Sequence, residues 1–166
     1  MESWSIEVNK EYFKFSAAHF LIFADGTAER LHGHNYRVFL ELDACLDDYG
    51  LVMDFKRVKP VVLRLLETLD ERFLLPGEHP ELRVSDGPEG RVSIHYRERF
   101  YQLCRDEVLV LPITNTSSEN LATFIGRELL RLLPLEFSEV QIKRLRLAVE
   151  ETSGQRGVYR FESDSR

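Results

Sequence analysis

The stretch His32-Gly-His-Asn-Tyr-Arg-Val-Phe-Leu-Glu-Leu-Asp43 decides the fold, because every second side chain in it belongs to one continuous face. That face consists of His32, His34, Tyr36, Val38, Leu40 and Leu42. A period of two predicts a β-strand with one side in the core. The preceding segment from Ile6 to His19 alternates in the same way and predicts a second strand. We expect the two to be antiparallel neighbours joined by a loop.

Two helices are predicted, one before and one after an irregular segment at 77–112. Apolar residues spaced by three and four over 55–69 predict a first helix with Asp54 as its N-cap. Pro60 fits only in the first turn of a helix, which favours a start near Arg57. The capping-box spacing Thr116-Ser-Ser-Glu119 announces a second helix, which Pro134 is expected to end.

The last predicted element is a hairpin that pairs 139–152 with 158–162. Val140 and Ile142 differ in phase from Leu145 and Leu147, which predicts a β-bulge near Lys143-Arg144. Residues 77–112 give only short strand signals around turns, so they are interpreted as an inserted β excursion. The element order predicts an α+β fold, with residues 1–166 as one domain.

Composition limits the function classes. The chain has 166 residues, 43% hydrophobic and 30% charged, with a formal net charge of −6 at pH 7. An acidic chain is a poor partner for nucleic acid, and no apolar run is long enough to span a membrane. Its two cysteines are in no paired spacing, which favours a reducing cytoplasm. We therefore expect a cytoplasmic, single-domain protein that binds no nucleic acid and no membrane.

Three histidines fall in the inward phase of the two predicted strands. His32 and His34 project to the same side of one strand, and His19 lies in the inward phase of its neighbour. Three imidazoles with an open fourth position are typical of catalytic zinc. The alternative is that they are core histidines bonded to backbone carbonyls.

Six ordered motifs resemble one known family. They are Phe15-Ser-Ala-Ala-His19, Leu31-His-Gly-His-Asn-Tyr36, Gly50-Leu-Val-Met-Asp-Phe55, Leu69-Asp70, Ser117-Ser-Glu-Asn120 and Glu151-Thr152. Together they are similar to the 6-pyruvoyltetrahydropterin synthase / 6-carboxytetrahydropterin synthase family over nearly the whole chain. The resemblance implies the tunnelling fold, with two antiparallel hairpins and two helices packed on one face. It also implies subunits that close a β-barrel, a homo-hexamer made of two trimers, and active sites between subunits.

The same resemblance implies roles for individual residues. Zn²⁺ would be held by His19, His32 and His34, and a pterin substrate would be anchored by Glu151. The start of the second helix would help hold the substrate, through Ser117, Ser118 and Glu119. A capping box alone would also explain Glu119.

The alternation of side chains also predicts that the side chain of Glu151 points inward. It continues the phase of Leu147 and Val149, so its carboxylate is aimed at the apolar side. The alternative is an ion pair with an arginine such as Arg156. Glu150 points the other way and is expected in solvent.

The sequence departs from the family at the expected base. The family uses a cysteine just before His-Gly-His, together with an Asp-His pair. Here the loop 26–32 has no cysteine, Asp70 is retained, and Glu71 stands where the family has histidine. Neither Cys45 nor Cys104 lies near the missing thiol in sequence.

Glu29, in the pattern Glu-x-x-His-Gly-His-Asn, is therefore the candidate base, supported by Asp70 and Glu71. The pattern resembles a paralogue group that converts 7,8-dihydroneopterin triphosphate into 6-hydroxymethyl-7,8-dihydropterin for folate synthesis. Glu29 as an ordinary loop residue is the alternative.

Three functions remain open at this stage. The first is a zinc-dependent lyase that cleaves a pterin side chain with Glu29 as base. The second is a lyase that forms the 6-pyruvoyl or 6-carboxy product with an unusual base. The third is a non-catalytic pterin-binding protein, which would bind pterin without zinc.

Overall fold

The computed structural model describes residues 2–163 and shows a mixed sheet with two helices, which confirms the α+β class. The strands and helices are β1 (Trp4–Val8), β2 (Lys14–His19), β3 (His32–Ala44), α1 (Phe55–Glu67), β4 (Arg72–Pro76), β5 (Arg83–Asp86), β6 (Arg91–Tyr96), β7 (Arg99–Cys104), β8 (Val108–Leu111), α2 (Ser118–Glu136), β9 (Ile142–Thr152) and β10 (Gln155–Glu162). The main sheet has the order β10-β9-β3-β2-β4-β8, with β1 also paired to β3. Within the described residues, neither helix is long and apolar enough to cross a membrane.

The first predicted strand is in fact two strands. β1 pairs with the C-terminal half of β3, from Trp4 opposite Ala44, whereas β2 pairs with its N-terminal half. The chain turns between them, where the amide of Phe13 donates to the carbonyl of Lys10 at 2.9 Å. A single unbroken strand was the wrong prediction because the alternation of apolar residues continues across this turn.

The helix predictions need three corrections at their ends. Asp54 is the N-cap of α1 as predicted, but the helix begins at Phe55 and keeps Pro60 inside it. Ser117, not Thr116, caps α2, and its side chain accepts from the amide of Asn120. The helix continues through Pro134 to Glu136, since a proline near a helix end removes only one hydrogen bond there.

The predicted β-bulge is confirmed. Asp43 lies opposite Arg144, but Ala44 lies opposite Ile142, so Lys143 is the extra residue of β9. Both Ile142 and Leu145 are buried as a result. The turn after β9 is tighter than predicted, because β10 begins at Gln155.

The excursion folds as a small sheet and a returning strand. β5, β6 and β7 form an antiparallel three-stranded sheet, and β8 then rejoins the main sheet parallel to β4. A separate apolar cluster lies under it, formed by Phe20, Ile22, Phe73, Leu75, Leu82, Val92, Ile94 and Tyr96. The larger core lies between the main sheet and the two helices.

Gly157 allows α2 to begin directly against β10. A Cβ atom on Gly157 would lie 2.3 Å from the backbone nitrogen of Glu119. We expect Gly157→Ala to lower the free energy of unfolding by about 1–3 kcal/mol through overpacking. Urea unfolding checks this, with Arg160→Ala on the exposed part of the same strand as control. Equal stability of the two variants would contradict the packing described.

Candidate metal centre

The pairing of β2 with β3 brings the three histidines together. His19 lies directly opposite His32, and Ala17 lies opposite His34, so all three side chains share one face. The ring centres are 4.7 Å apart for His19 and His32, and 4.8 Å apart for His32 and His34. One ring nitrogen from each residue lies within 4.8 Å of the others, close enough for a shared metal ion.

The cluster opens to solvent on one side. The side chain of His19 is fully buried, that of His34 is 20% exposed, and that of His32 is 38% exposed. A ligand would therefore approach beside His32, with His19 at the closed end.

Backbone carbonyls orient two of the rings. Nδ1 of His19 lies 3.0 Å from the carbonyl of Thr116, and Nδ1 of His32 lies 2.7 Å from that of Arg30. A carbonyl only accepts, so each Nδ1 carries the proton and each Nε2 keeps its lone pair. This is the arrangement that metal-binding histidines adopt. Burial also lowers the pKa of His19 to about 4, so the ring is neutral at neutral pH.

A buried tyrosine and a carboxylate complete the closed end. Oε1 of Glu151 lies 3.3 Å from Nε2 of His19 and 3.4 Å from Nε2 of His34. The hydroxyl of Tyr36 lies 3.2 Å from the same His19 nitrogen and 3.4 Å from Glu151. Burial and the Glu151 charge raise the pKa of Tyr36, which keeps its proton.

The donor set therefore fits a cation. The Nε2 atoms of His19 and His32 keep their lone pairs, and a ring nitrogen of His34 lies within 4.8 Å of the ligand atoms of both. Facing lone pairs repel one another unless a proton or a cation lies between them, and a divalent metal ion would satisfy the three histidines. Tyr36 was not among the predicted site residues, although it lies two residues after His34 in the same phase of the strand.

The alternative prediction, an ion pair between Glu151 and Arg156, is wrong. Arg156 pairs instead with Glu150, with Nε 2.6 Å from Oε2, and stacks over the ring of Phe39. The expectation that Glu150 is solvated is also wrong, since it is 5% exposed on the opposite face of the sheet. The hydrogen bond from Arg156, together with the charges of Arg156 and Arg37, lowers the pKa of Glu150 and makes its burial tolerable.

Glu29 lies at the open side of the cluster. Its Oε2 is 3.8 Å from Nε2 of His32 and accepts from the amide of Leu21 at 3.3 Å. Both free cysteines are exposed. Cys45 follows β3, about 36 Å along the strand from His34 at the usual rise per residue.

Asp70 and Glu71 form no hydrogen bond or ion pair with the three histidines among the described residues. Oδ1 of Asp70 accepts from the amide of Ser16 at 2.7 Å, and the amide of Glu71 donates to the Ser16 carbonyl. Glu71 lines a cleft of about 500 Å³ together with Ser16, Asn35 and His34, so this cleft reaches one member of the histidine cluster.

The start of α2 touches the cluster through backbone rather than through the predicted side chains. The residue before the cap, Thr116, is fully buried and gives its carbonyl to His19 and its hydroxyl to the carbonyl of Phe20. Ser117 is used as the cap, and the hydroxyl of Ser118 lies 3.4 Å from the carboxylate of Glu119. The predicted capping box is therefore not formed, and Glu119 is exposed.

Comparison with known proteins places the chain in a family. The family model described as 6-pyruvoyl tetrahydropterin synthase matches residues 7–162. The chain therefore belongs to the 6-pyruvoyl tetrahydropterin synthase family, whose members are lyases that act on pterins.

Relatives in sequence and in structure agree. A protein of Methanocaldococcus jannaschii named "Putative 6-carboxy-5,6,7,8-tetrahydropterin synthase" is 32% identical over 89% of each chain. The solved 6-pyruvoyltetrahydropterin synthase of Plasmodium vivax is 26% identical, covers 98% of this chain and 100% of its own, and has a TM-score of 0.88. A variant of that enzyme with its catalytic glutamate replaced by alanine has the same TM-score. The Plasmodium falciparum enzyme is 27% identical with a TM-score of 0.86, covering 98% of this chain and 100% of its own.

Burial of a neutral His19 predicts a pH-dependent stability. The unfolded chain takes up a proton near pH 6.5, whereas the folded chain takes it up only near pH 4. The metal-free protein should thus lose up to about 3 kcal/mol of unfolding free energy as the pH falls through that window. Denaturant unfolding in chelator should show this loss relative to His19→Gln, which cannot titrate there. His95→Gln, on an exposed residue, should behave as the wild type; a pH-independent difference between wild type and His19→Gln would contradict the argument.

Proposed function

We propose that this protein is a zinc-dependent lyase that acts on 7,8-dihydroneopterin triphosphate and releases 6-hydroxymethyl-7,8-dihydropterin. The observation that carries the proposal is the Glu29 carboxylate at 3.8 Å from His32, on the open side of the histidine cluster. A proton acceptor is needed at that point, and no cysteine stands in the loop 26–32 to provide it.

Zinc is the metal that the donor set favours. Three imidazoles with an open side are typical of catalytic zinc, and His19, His32 and His34 would hold it. The bound ion would act as a Lewis acid toward oxygen atoms of the substrate side chain. Thr116 and Arg30, through their carbonyls, keep two of the rings in the binding tautomer.

Glu151 would fix the pterin ring. An ionised carboxylate only accepts hydrogen bonds, and the aminopyrimidine edge of a pterin offers two adjacent N–H donors. Tyr36, within 3.4 Å of Glu151, limits the orientation of that carboxylate. Three residues at the start of α2 would also help hold the substrate: Ser117, Ser118 and Glu119.

Glu29 would act as the general base. It takes the proton of the C2′ hydroxyl, a carbonyl forms at C2′, and the C1′–C2′ bond breaks. The electron pair passes to C1′ and the conjugated ring, and C1′ then gains a proton. The products are 6-hydroxymethyl-7,8-dihydropterin and glycolaldehyde triphosphate, so no oxidant or reductant is required. Asp70 and Glu71 would support this step indirectly, Asp70 through its hydrogen bond from the amide of Ser16 and Glu71 from the cleft that it lines with His34.

The comparisons support a glutamate base and also favour a second candidate for the product. The Plasmodium vivax enzyme uses a catalytic glutamate. The Methanocaldococcus jannaschii relative carries the name of a 6-carboxytetrahydropterin synthase and is the more similar in sequence. A 6-carboxy product is therefore the second candidate.

Zinc binding can be tested without any substrate. We expect about one zinc ion per purified chain, and His34→Ala should weaken zinc binding by more than about tenfold. Zinc should raise the melting temperature of the wild type by mass action and leave that of the variant nearly unchanged. His95→Ala is the matched control. Equal zinc content in all three proteins would remove the histidine cluster as the metal site.

The reaction is tested by mass identification of the product. Zinc-loaded protein incubated with 7,8-dihydroneopterin triphosphate should release the 6-hydroxymethyl pterin, and Glu29→Gln should lower kcat by about 10²–10⁴-fold. Glu7→Gln, an exposed carboxylate on β1, shows how much loss comes from a changed charge alone. Full turnover in Glu29→Gln would exclude the base role, and a 6-carboxy product would favour the second candidate.

A further inference from the structure

The loop 20–31 between β2 and β3 carries Glu29 and folds back on itself. Ile22 and Ala28 form a β-bridge, the amide of Phe23 donates to the carbonyl of Thr27, and that of Glu29 donates to the carbonyl of Leu21. The loop therefore has two arms, 20–22 and 28–29, which meet the rest of the protein at different places.

The first arm is held by the segment before α2. The side-chain amide of Asn115 bonds both the amide and the carbonyl of Ile22, at 3.2 and 2.8 Å. The hydroxyl of Thr116 donates to the carbonyl of Phe20 at 3.0 Å. The same segment orients His19, so this arm and the closed end of the histidine cluster share one support.

The second arm is held by the small sheet of β5, β6 and β7. Nη1 of Arg99 donates to the carbonyl of Glu29 at 2.6 Å, and its Nη2 donates to the carbonyl of Ala28 at 2.5 Å. The Tyr96 hydroxyl donates to the carbonyl of Gly26 at 2.8 Å. A planar guanidinium can bridge two consecutive carbonyls, whereas a lysine ammonium gives no such fixed fork.

Apolar side chains also join the loop 20–31 to the small sheet. Phe20 and Ile22 of the loop pack in one cluster with Val92, Ile94 and Tyr96 of the small sheet. The loop and the small sheet thus form one packed unit, and the position of Glu29 depends on both. With its amide on Leu21 and its carbonyl on Arg99, Glu29 has both backbone groups fixed.

We propose that Arg99 is a positioning residue that holds Glu29 at its distance from His32, and that the 77–112 excursion serves to supply it. This inference rests on the proposed function, in which Glu29 is the base. A reacting group displaced by about 1 Å loses on the order of 10²-fold in rate. The hydrogen bonds of Arg99 go to the two loop carbonyls and not to the histidines, so its effect passes through the loop.

The test compares Arg99→Gln and Arg99→Lys with Arg91→Gln, an exposed arginine on the same small sheet. Arg99→Gln should lower kcat by about 10–100-fold while KM for the pterin changes by less than about threefold. Arg99→Lys should recover only part of the loss, and Arg91→Gln should match the wild type. In Glu29→Gln, adding Arg99→Gln should cost little more, because the group that Arg99 positions is already gone.

Amide hydrogen exchange gives a readout that needs no activity. Exchange of the loop amides of Phe23 and Glu29 should be faster in Arg99→Gln than in Arg91→Gln, with zinc content unchanged. Unchanged exchange, or a kcat for Arg99→Gln within about twofold of the control, overturns the positioning role of Arg99 and leaves the base role of Glu29 standing. A Glu29→Gln variant with full turnover overturns both.

Discussion

The antiparallel register of β2 on β3 is the constraint on which the whole candidate site depends. It sets His19 opposite His32 and places His34 one step further along the same face. A shift of one residue would carry every side chain of a strand to the other face and scatter the three imidazoles. The register of β9 on β3 acts in the same way for the carboxylate. Because Glu150 lies opposite Arg37, the next residue, Glu151, falls beside Tyr36 on the histidine face.

The face of each side chain was readable from the sequence, whereas the register was not, because alternation fixes the phase of a strand and not which residues lie opposite one another. The inward phases of His19, His32, His34 and Glu151 follow from period two alone, and so does the bulge at Lys143. The turn that separates β1 from β2 was not readable, because the apolar alternation passes through it. The N-cap of α2 was misplaced by one residue for a similar reason: Thr116 and Ser117 are both good caps, and only burial of Thr116 decides between them.

The roles of Tyr36, Thr116 and Arg99 depend on contacts between residues far apart in the chain. Thr116 reaches His19 with a backbone carbonyl, a group that every residue has and that no motif can announce. Arg99 likewise bonds two carbonyls of a loop some seventy positions earlier, as its pairs with Ala28 and Glu29 show. A sequence motif reveals the reactive side chains of one strand or helix. The groups that orient those side chains come from other elements that pack around the site.

Asp70 and Glu71 lie just before β4, which pairs with the edge of β2 opposite to β3. Within residues 2–163, neither residue forms a hydrogen bond or an ion pair with the three histidines. Asp70 is moreover engaged with the amide of Ser16, which gives it a structural task at the edge of β2. Glu29 differs from Asp70 and Glu71 in its position. It lies on the loop that joins the two histidine-bearing strands and is three residues from His32. The proposed proton transfer therefore needs only one chain, and a supporting role of Glu71 would act through the cleft that it lines together with His34.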